Sequence, residues 1–275
     1  MAADALPRVA NARMYSVTPA VEALWQGLLE RVAQTAGVAL RYEAYPAPAP
    51  LEDFWPRPDL GCVFMCGYPI ASRLAEVIPL AAPVPALDWA GGRAVYRSDL
   101  IVRADSPFRC LADTFGHAAG WTVAHSHSGF NAFRHHLLPH RQAGRPPLYA
   151  RMQGGLVTAG RVLEAVRSGE IDVGPLDAYW HALLARHAPE RVQGIRVLES
   201  TDTAPMPALV AAAGTPPAVV ARLREALIAA ADAPWYAAFA EPLLLQRFSA
   251  VSTADYARTL AWEHEAIEAG YPEPA

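Results

Sequence analysis

The residues best suited to chemistry are Ser126-His127-Ser128-Gly129, set within GWTVAHSHSGFNAFRHHLL at Gly120–Leu138. Gly120–Ala124 reads as a short buried strand. Phe130, Phe133, Leu137 and Leu138 have the spacing of one helical face, so a helix must begin between the two. Ser126 or Ser128 can cap its first orphan amides, and the amides left over point beyond the strand. Two hydroxyls, a glycine that lets backbone approach a ligand and the positive end of a helix together make an anion site. The same residues serve equally as an ordinary capped strand–helix joint.

Other reactive groups suggest less. Five of the nine histidines fall between His125 and His140. His136 and His140 can share a helix face, but no HExxH pattern surrounds them and no acid or cysteine shell accompanies them, so no metal site is expected. Ser126 or Ser128 with His127 and Asp177 could be read as a hydrolase set. HSHSG lacks the first glycine of a nucleophile elbow, and adjacent residues seldom place a base on a neighbouring serine. Cys62, Cys66 and Cys110 are odd in number and not laid out as a disulfide framework or a CxxC pair, so they read as small core residues.

Composition excludes several classes. The chain of 275 residues is 53% hydrophobic, enough to bury a substantial core as one large domain or two lobes. A net charge of −4 argues against a nucleic-acid footprint. All 23 cationic residues are arginine, so neither a Schiff-base lysine nor a P-loop lysine exists. No run of about 18 apolar residues is present to span a membrane. MAADALPRVANARMYSV lacks the charged start, apolar centre and cleavage site of a signal peptide, which fits a cytoplasmic chain or one whose leader has been trimmed.

The elements that must position these residues alternate. Arg8–Val17 reads as a first strand, followed by Thr18-Pro19 as N-cap and first helical residue of a helix over Ala20–Ala36, closed by Gly37. Val38–Tyr45 follows as a strand. The proline-rich loop after it carries Phe54 and Trp55, which could line a cleft or cover the core edge. Leu60–Gly67 is a continuous apolar run of strand length that leads into a helix after Tyr68-Pro69. Ile78–Leu80 runs into a proline-rich passage, and Ala94–Arg103 is a long extended segment. Thr158 can cap a helix over Ala159–Ser168, stopped by Gly169. Asp177 stands between the strand Ile171–Leu176 and a helix over Ala178–Arg186, and Pro207–Ala213 is a further extended run. Helices close the chain. The pattern predicts an α/β fold with mostly parallel sheet. If the extended segments near 99–103 and 207–213 both cross between lobes, then 1–100 with 208–275 form lobe 1 and 101–207 form an inserted lobe 2. A ligand cleft would then lie between lobes that a hinge can close.

AVYRSDLIVRADSPFRCLADTFG at Ala94–Gly116, TVAHSHSGFNA at Thr122–Ala132, GRVLEAVRSGEIDVGPLDAYWHAL at Gly160–Leu183 and RVLESTDTAPMPALVAA at Arg196–Ala212 occur in an order that resembles the phosphonate-binding branch of the periplasmic binding proteins, with their type II fold. The resemblance implies that Ser126, His127 and Ser128 hold the ligand's anionic head at the Gly129 turn. It implies that Tyr96 offers a phenol, that Asp177 meets a ligand amine, and that Tyr15 and Cys66-Gly67-Tyr68 face the cleft from the first lobe, with Trp55 or Trp89 as further walls. Family members place a histidine after a glycine pair where this chain has Ala159, preceded by Thr158, so the ligand could be a phosphonate, a sulfonate, a carboxylate or a small zwitterion. The resemblance further implies a monomeric, periplasmic solute-binding protein without cofactor that serves an ABC permease or a sensor. Cytosolic lyases of the same fold, such as the menaquinone-pathway chorismate dehydratases, offer an enzyme alternative in which Asp177, His127 or Tyr96 acts as base on a small carboxylate. An effector domain separated from its DNA-binding helices is a further alternative, though no helix-turn-helix precedes Arg8.

Overall fold

The computed structural model describes residues 7–141 and 146–275. Residues 1–6, the beginning of the segment read for a leader, lie outside the described residues. The chain divides into two compact units, Met1–Val95 with Pro205–Ala257, and Tyr96–Ala204 with Arg258–Ala275.

The first unit is built on a six-stranded sheet. Its order is Leu245–Ala250, Val77–Pro85, Ala208–Ala212, Leu60–Met65, Val9–Asn11 and Arg41–Tyr42. All six residues of Leu60–Met65 are buried, as their unbroken apolar run predicts. The helix Pro19–Ala36 starts at Thr18, whose hydroxyl accepts the Val21 amide at 3.2 Å, and ends at Gly37 in the left-handed conformation. Val9, Trp55, Val63, Met65, Ile70, Val210 and Tyr256 share one core cluster.

The second unit has a five-stranded sheet in the order Ile195–Ser200, Ser98–Arg103, Val173–Asp177, Ala118–Gly120 and Arg151–Gln153. Leu100, Val102, Phe133, Leu137, Tyr149, Val173 and Tyr271 form its core cluster. The helix Ala159–Ser168 runs from the Thr158 cap to Gly169 at φ 75°, as the sequence predicts.

Three expectations change. Both sheets are mixed rather than mostly parallel, because Ala208–Ala212 and Ser98–Arg103 run antiparallel to both neighbours. These are the strands on which the chain runs just after it crosses from one unit into the other. The division between units falls at 95/96 and 204/205, not within 99–103 and 207–213, and Arg258–Ala275 groups with the second unit rather than the first. The proline-rich passage is a nine-residue strand, Val77–Pro85, hydrogen-bonded on both sides. Two of its three prolines sit where the ladder breaks register, Pro79 against the Ala208–Ala212 strand and Pro85 against the Leu245–Ala250 strand, while Pro83 pairs with Phe248 in regular register.

Candidate functional site

The strand before the Ser126 segment ends at Gly120, and residues 121–125 form a loop instead of continuing the strand. Trp121 leaves the ladder after bonding Gln153 and Leu156 through its backbone. Ser126 then caps a helical run, its Oγ accepting the Gly129 amide at 3.0 Å. The first turn is wide: the Asn131 amide bonds the Ser126 carbonyl and the Ala132 amide bonds the His127 carbonyl, each five residues back. Ordinary helix Ala132–Leu137 follows. Such wide turns recur at functional sites. The amides of His127 and Ser128 have no acceptor within the helix, so donors and partial positive charge collect at its start. Ser126 and Ser128 are half-buried there.

Packing holds this start in place. Ser98 Oγ donates to the Ser128 carbonyl at 2.8 Å, and Ser98 pairs with Asp177 across the sheet. Asp177 is buried, and its Oδ1 accepts the amides of Tyr179 and Trp180 at 2.9 and 3.0 Å, which makes it the N-cap of Ala178–His187. The Val157 amide bonds the Thr122 carbonyl and brings Thr158 beside the same loop, while Thr158 Oγ1 accepts the Arg161 amide at 3.1 Å. The structure thus gathers Ser126, His127, Ser128, Gly129, Tyr96, Asp177 and Thr158 into the second unit. Tyr15 and Tyr68 belong to the first.

Gly129 has a different reason from the one its sequence suggests. A Cβ there would stand 2.0 Å from Thr122 Oγ1, so the missing side chain makes room for Thr122. His127 is 1% exposed, its ring stacked on Trp262 at 5.2 Å and tilted against Tyr96 at 5.9 Å. Burial, with His135 and Arg258 nearby, pushes its pKa down to about 3, so the ring is neutral. Tyr15 is a core aromatic, edge-on to Phe64 at 5.1 Å. Trp55 is likewise buried and donates Nε1–H to the Phe64 carbonyl at 3.0 Å.

Sequence reasoning missed the partners that lie far along the chain. Ser98 carried no signal in an apolar strand. Trp262, on the helix Ala257–Glu268, closes over His127, and its place follows only from where the C-terminal segment packs. A second polar cluster, Asp99–His181–Ser200, lies on the same unit. His181 Nδ1 and Ser200 Oγ both bond Asp99, at 2.9 and 2.8 Å. Ser200 gives its proton to the carboxylate, so it is not activated by the imidazole. Among the described residues no group of three or more His, Cys, Asp or Glu converges as a metal site.

Two mixed sheets flanked by helices define an α/β fold, and a capped helix start on the second carries two half-buried serines. The model of the family described as ABC transporter, phosphonate, periplasmic substrate-binding protein matches residues 16–256, and the chain belongs to that family. Its fold is the type II fold of periplasmic binding proteins. A binding protein component of an ABC phosphonate transporter from Pseudomonas aeruginosa superposes with a TM-score of 0.78 at 17% identity, covering 96% of this chain and 88% of that one. PhnD1 from Prochlorococcus marinus, solved with methylphosphonate, gives 0.75 at 14% identity, covering 97% and 100%. XAC2383 from Xanthomonas citri, solved with chloride, gives 0.65 at 19% identity, covering 98% and 99%. No curated protein sequence matches the chain. No helix among the described residues is long and apolar enough to cross a membrane.

Proposed function

We propose that this solute-binding protein takes a small oxyanion, a phosphonate or a sulfonate, carboxylate or small zwitterion of similar head group, at the helix start Ser126–Gly129. The observation that carries the reading is the pair of half-buried serines, Ser126 and Ser128, at a helix start with two amides that have no intrahelical acceptor. Ser126 Oγ already accepts the Gly129 amide, which leaves its own proton to donate outward. Tyr96, Thr158 and Asp177 stand on segments tied to the same loop and complete the candidate set. Tyr15 and Tyr68, in the first unit, are buried there, Tyr15 within its core. We further infer that it acts as a monomer in the periplasm and delivers its ligand to an ABC permease or a sensor, a reading that its family's description as a periplasmic ABC-transporter component supports for the location and the permease.

Binding is favoured over the lyase alternative by the state of the candidate bases. His127 is neutral with its proton affinity suppressed, and Asp177 spends an oxygen on two backbone amides. The ring of His127 is therefore a weak base, and Asp177 is occupied as a helix N-cap.

The test is calorimetric titration of methylphosphonate, inorganic phosphate, ethanesulfonate and acetate into the wild-type protein and Ser128→Ala. The Ser128 side chain makes no cap, so the substitution leaves the helix start intact. Loss of about tenfold in affinity, or 1.4 kcal/mol, is expected for the bound probe. Unchanged affinity in Ser128→Ala removes this helix start from the site, and conversion of a probe during titration makes the protein an enzyme.

A further inference from the structure

We propose that the first unit carries a ligand site of its own, a hollow beside the start of the helix Pro217–Ala229 that takes a small organic carboxylate with an apolar body, held by the Arg224 guanidinium and the Thr215 hydroxyl. It shares no residue with the Ser126–Gly129 helix start and stands or falls without it.

Arg224 is half-buried and committed on one side only. Where the Val77–Pro85 strand shifts register against Ala208–Ala212, Leu209 faces Ala81 and Val210 faces Pro79, so Leu80 is passed over. Arg224 meets the carbonyls at that shift: Nη2 donates to Pro79 at 2.7 Å and Nε to Leu80 at 3.2 Å. A guanidinium brings five N–H donors and a full charge, so two bonds to neutral carbonyls leave three donors and the charge over. Nη1 bonds nothing among the described residues and is not one of their buried polar atoms, so it meets solvent. No acid among the described residues forms an ion pair with Arg224. Asp255 borders a neighbouring hollow with it, but Oδ2 of that carboxylate is taken by the Ser252 amide and hydroxyl at 2.6 and 2.8 Å.

Arg224 lines a hollow of about 460 Å3 with Ile78, Thr215, Pro216, Val220 and Ala221. Val220, Ala221 and Arg224 share a helix face, so the hollow runs along the helix from its start. Thr215, at the near end, is 3% exposed, and its Oγ1 is buried with no hydrogen-bond partner among the described residues. Native folds rarely leave such a hydroxyl unmet. The helix start adds a single backbone donor. Pro216 and Pro217 have none, and the Val219 and Val220 amides both return to the Pro216 carbonyl at 2.9 and 3.1 Å, which leaves Ala218. One cation, one hydroxyl and one amide suit a monoanion with two oxygens; a phosphate dianion would keep lone pairs unmet. Ile78, Pro216 and Val220 supply apolar walls for the rest of the molecule.

The test is NMR titration of the 15N-labelled full chain with isovalerate, with isovaleramide, which has the same shape without the charge, and with inorganic phosphate. Isovalerate is expected to shift the Arg224 Nε–H signal and the Ala218 amide, with a Kd on the order of 1 mM for so small a probe. Isovaleramide and phosphate should bind about tenfold more weakly at the same signals. Thr215→Val removes a hydroxyl that has no partner, so the fold is kept, and isovalerate affinity should fall about tenfold. Ala221→Phe, at an exposed position, fills the hollow and should abolish the shifts, while leaving methylphosphonate affinity at its wild-type value. An Arg224 signal that isovalerate does not move overturns the proposal. So does an equal response to isovaleramide, tighter binding of phosphate than of isovalerate at these signals, or wild-type isovalerate affinity in either variant. Should Thr215→Val fail to fold, Ala221→Phe carries the comparison. Isovalerate shifts confined to Ser126–Gly129 remove this site and leave that helix start as the one that binds.

Discussion

Gly129 and Thr122 are coupled by contact. The Thr122 hydroxyl is buried with no hydrogen-bond partner among the described residues, and a methyl group on Gly129 would overlap it. Gly129→Ala is expected to destabilise the protein by about 2–3 kcal/mol through overpacking, Thr122→Ala to be mild, and the double variant to recover most of the loss. Urea denaturation of the four proteins measures the coupling, and simple additivity would mean the two residues do not meet. His127 gives a dependence on acidity. Below about pH 6.5 the unfolded chain takes a proton at this ring that the folded ring, buried and facing His135, Arg258, Asn131 and Tyr96, refuses until about pH 3. The unfolded state binds more protons in that window, so stability falls as pH drops through it, by up to ~1.4 kcal/mol per unit, and is constant above it. His127→Gln should flatten the fall in stability between pH 6.5 and 4. The chemistry of Ser126 and Asp177 as caps was legible from residue type and position. The bonds of Asn131 to His127, Arg134 and Thr259 were not, because these partners lie on different turns and on a segment 128 residues away.

At the scale of elements, caps and stops read well and strand ends poorly. Thr18, Thr158, Gly37 and Gly169 mark helix boundaries by local hydrogen bonding and backbone freedom, which a short stretch of sequence contains. Val77–Pro85 was hidden because proline argues against a strand, and the register breaks that accommodate it are made by partner strands distant in sequence. Parallel or antiparallel direction was hidden for the same reason. The turn that delivers Thr158 contains Val157 at φ 64°, a conformation β-branched residues avoid. Val157 is 39% exposed, so little burial is lost by trimming it. Val157→Gly is expected to raise stability by about 1 kcal/mol, measured by chemical denaturation, because relief of backbone strain outweighs the added freedom of the unfolded chain. A loss of stability would mean that Val157 makes contacts that hold the turn.

Across the whole molecule the chain changes unit three times, at 95/96, 204/205 and 257/258. The first two changes were foreshadowed by extended segments, though displaced by several residues. The third was not, since a helix gives no sign in its own sequence of which core it covers. Its consequence for stability is direct. Trp262 is 4% exposed and Arg134 donates to the Pro272 carbonyl at 2.5 Å, so the segment after Ala257 is part of the second unit's fabric. Trp262→Ala is expected to cost about 3–5 kcal/mol and to uncover His127, seen as a lower Tm with loss of ligand-induced stabilisation. A full thermal shift with ligand in that variant would separate the C-terminal segment from the site. Trp262 also stacks on His135, at 4.7 Å with rings nearly parallel, while it faces His127 at 5.2 Å. An indole flanked by two imidazoles is a built-in optical gauge. Its emission reports on how those rings pack against it, so a change in the second unit's interior can be read from light without any attached dye.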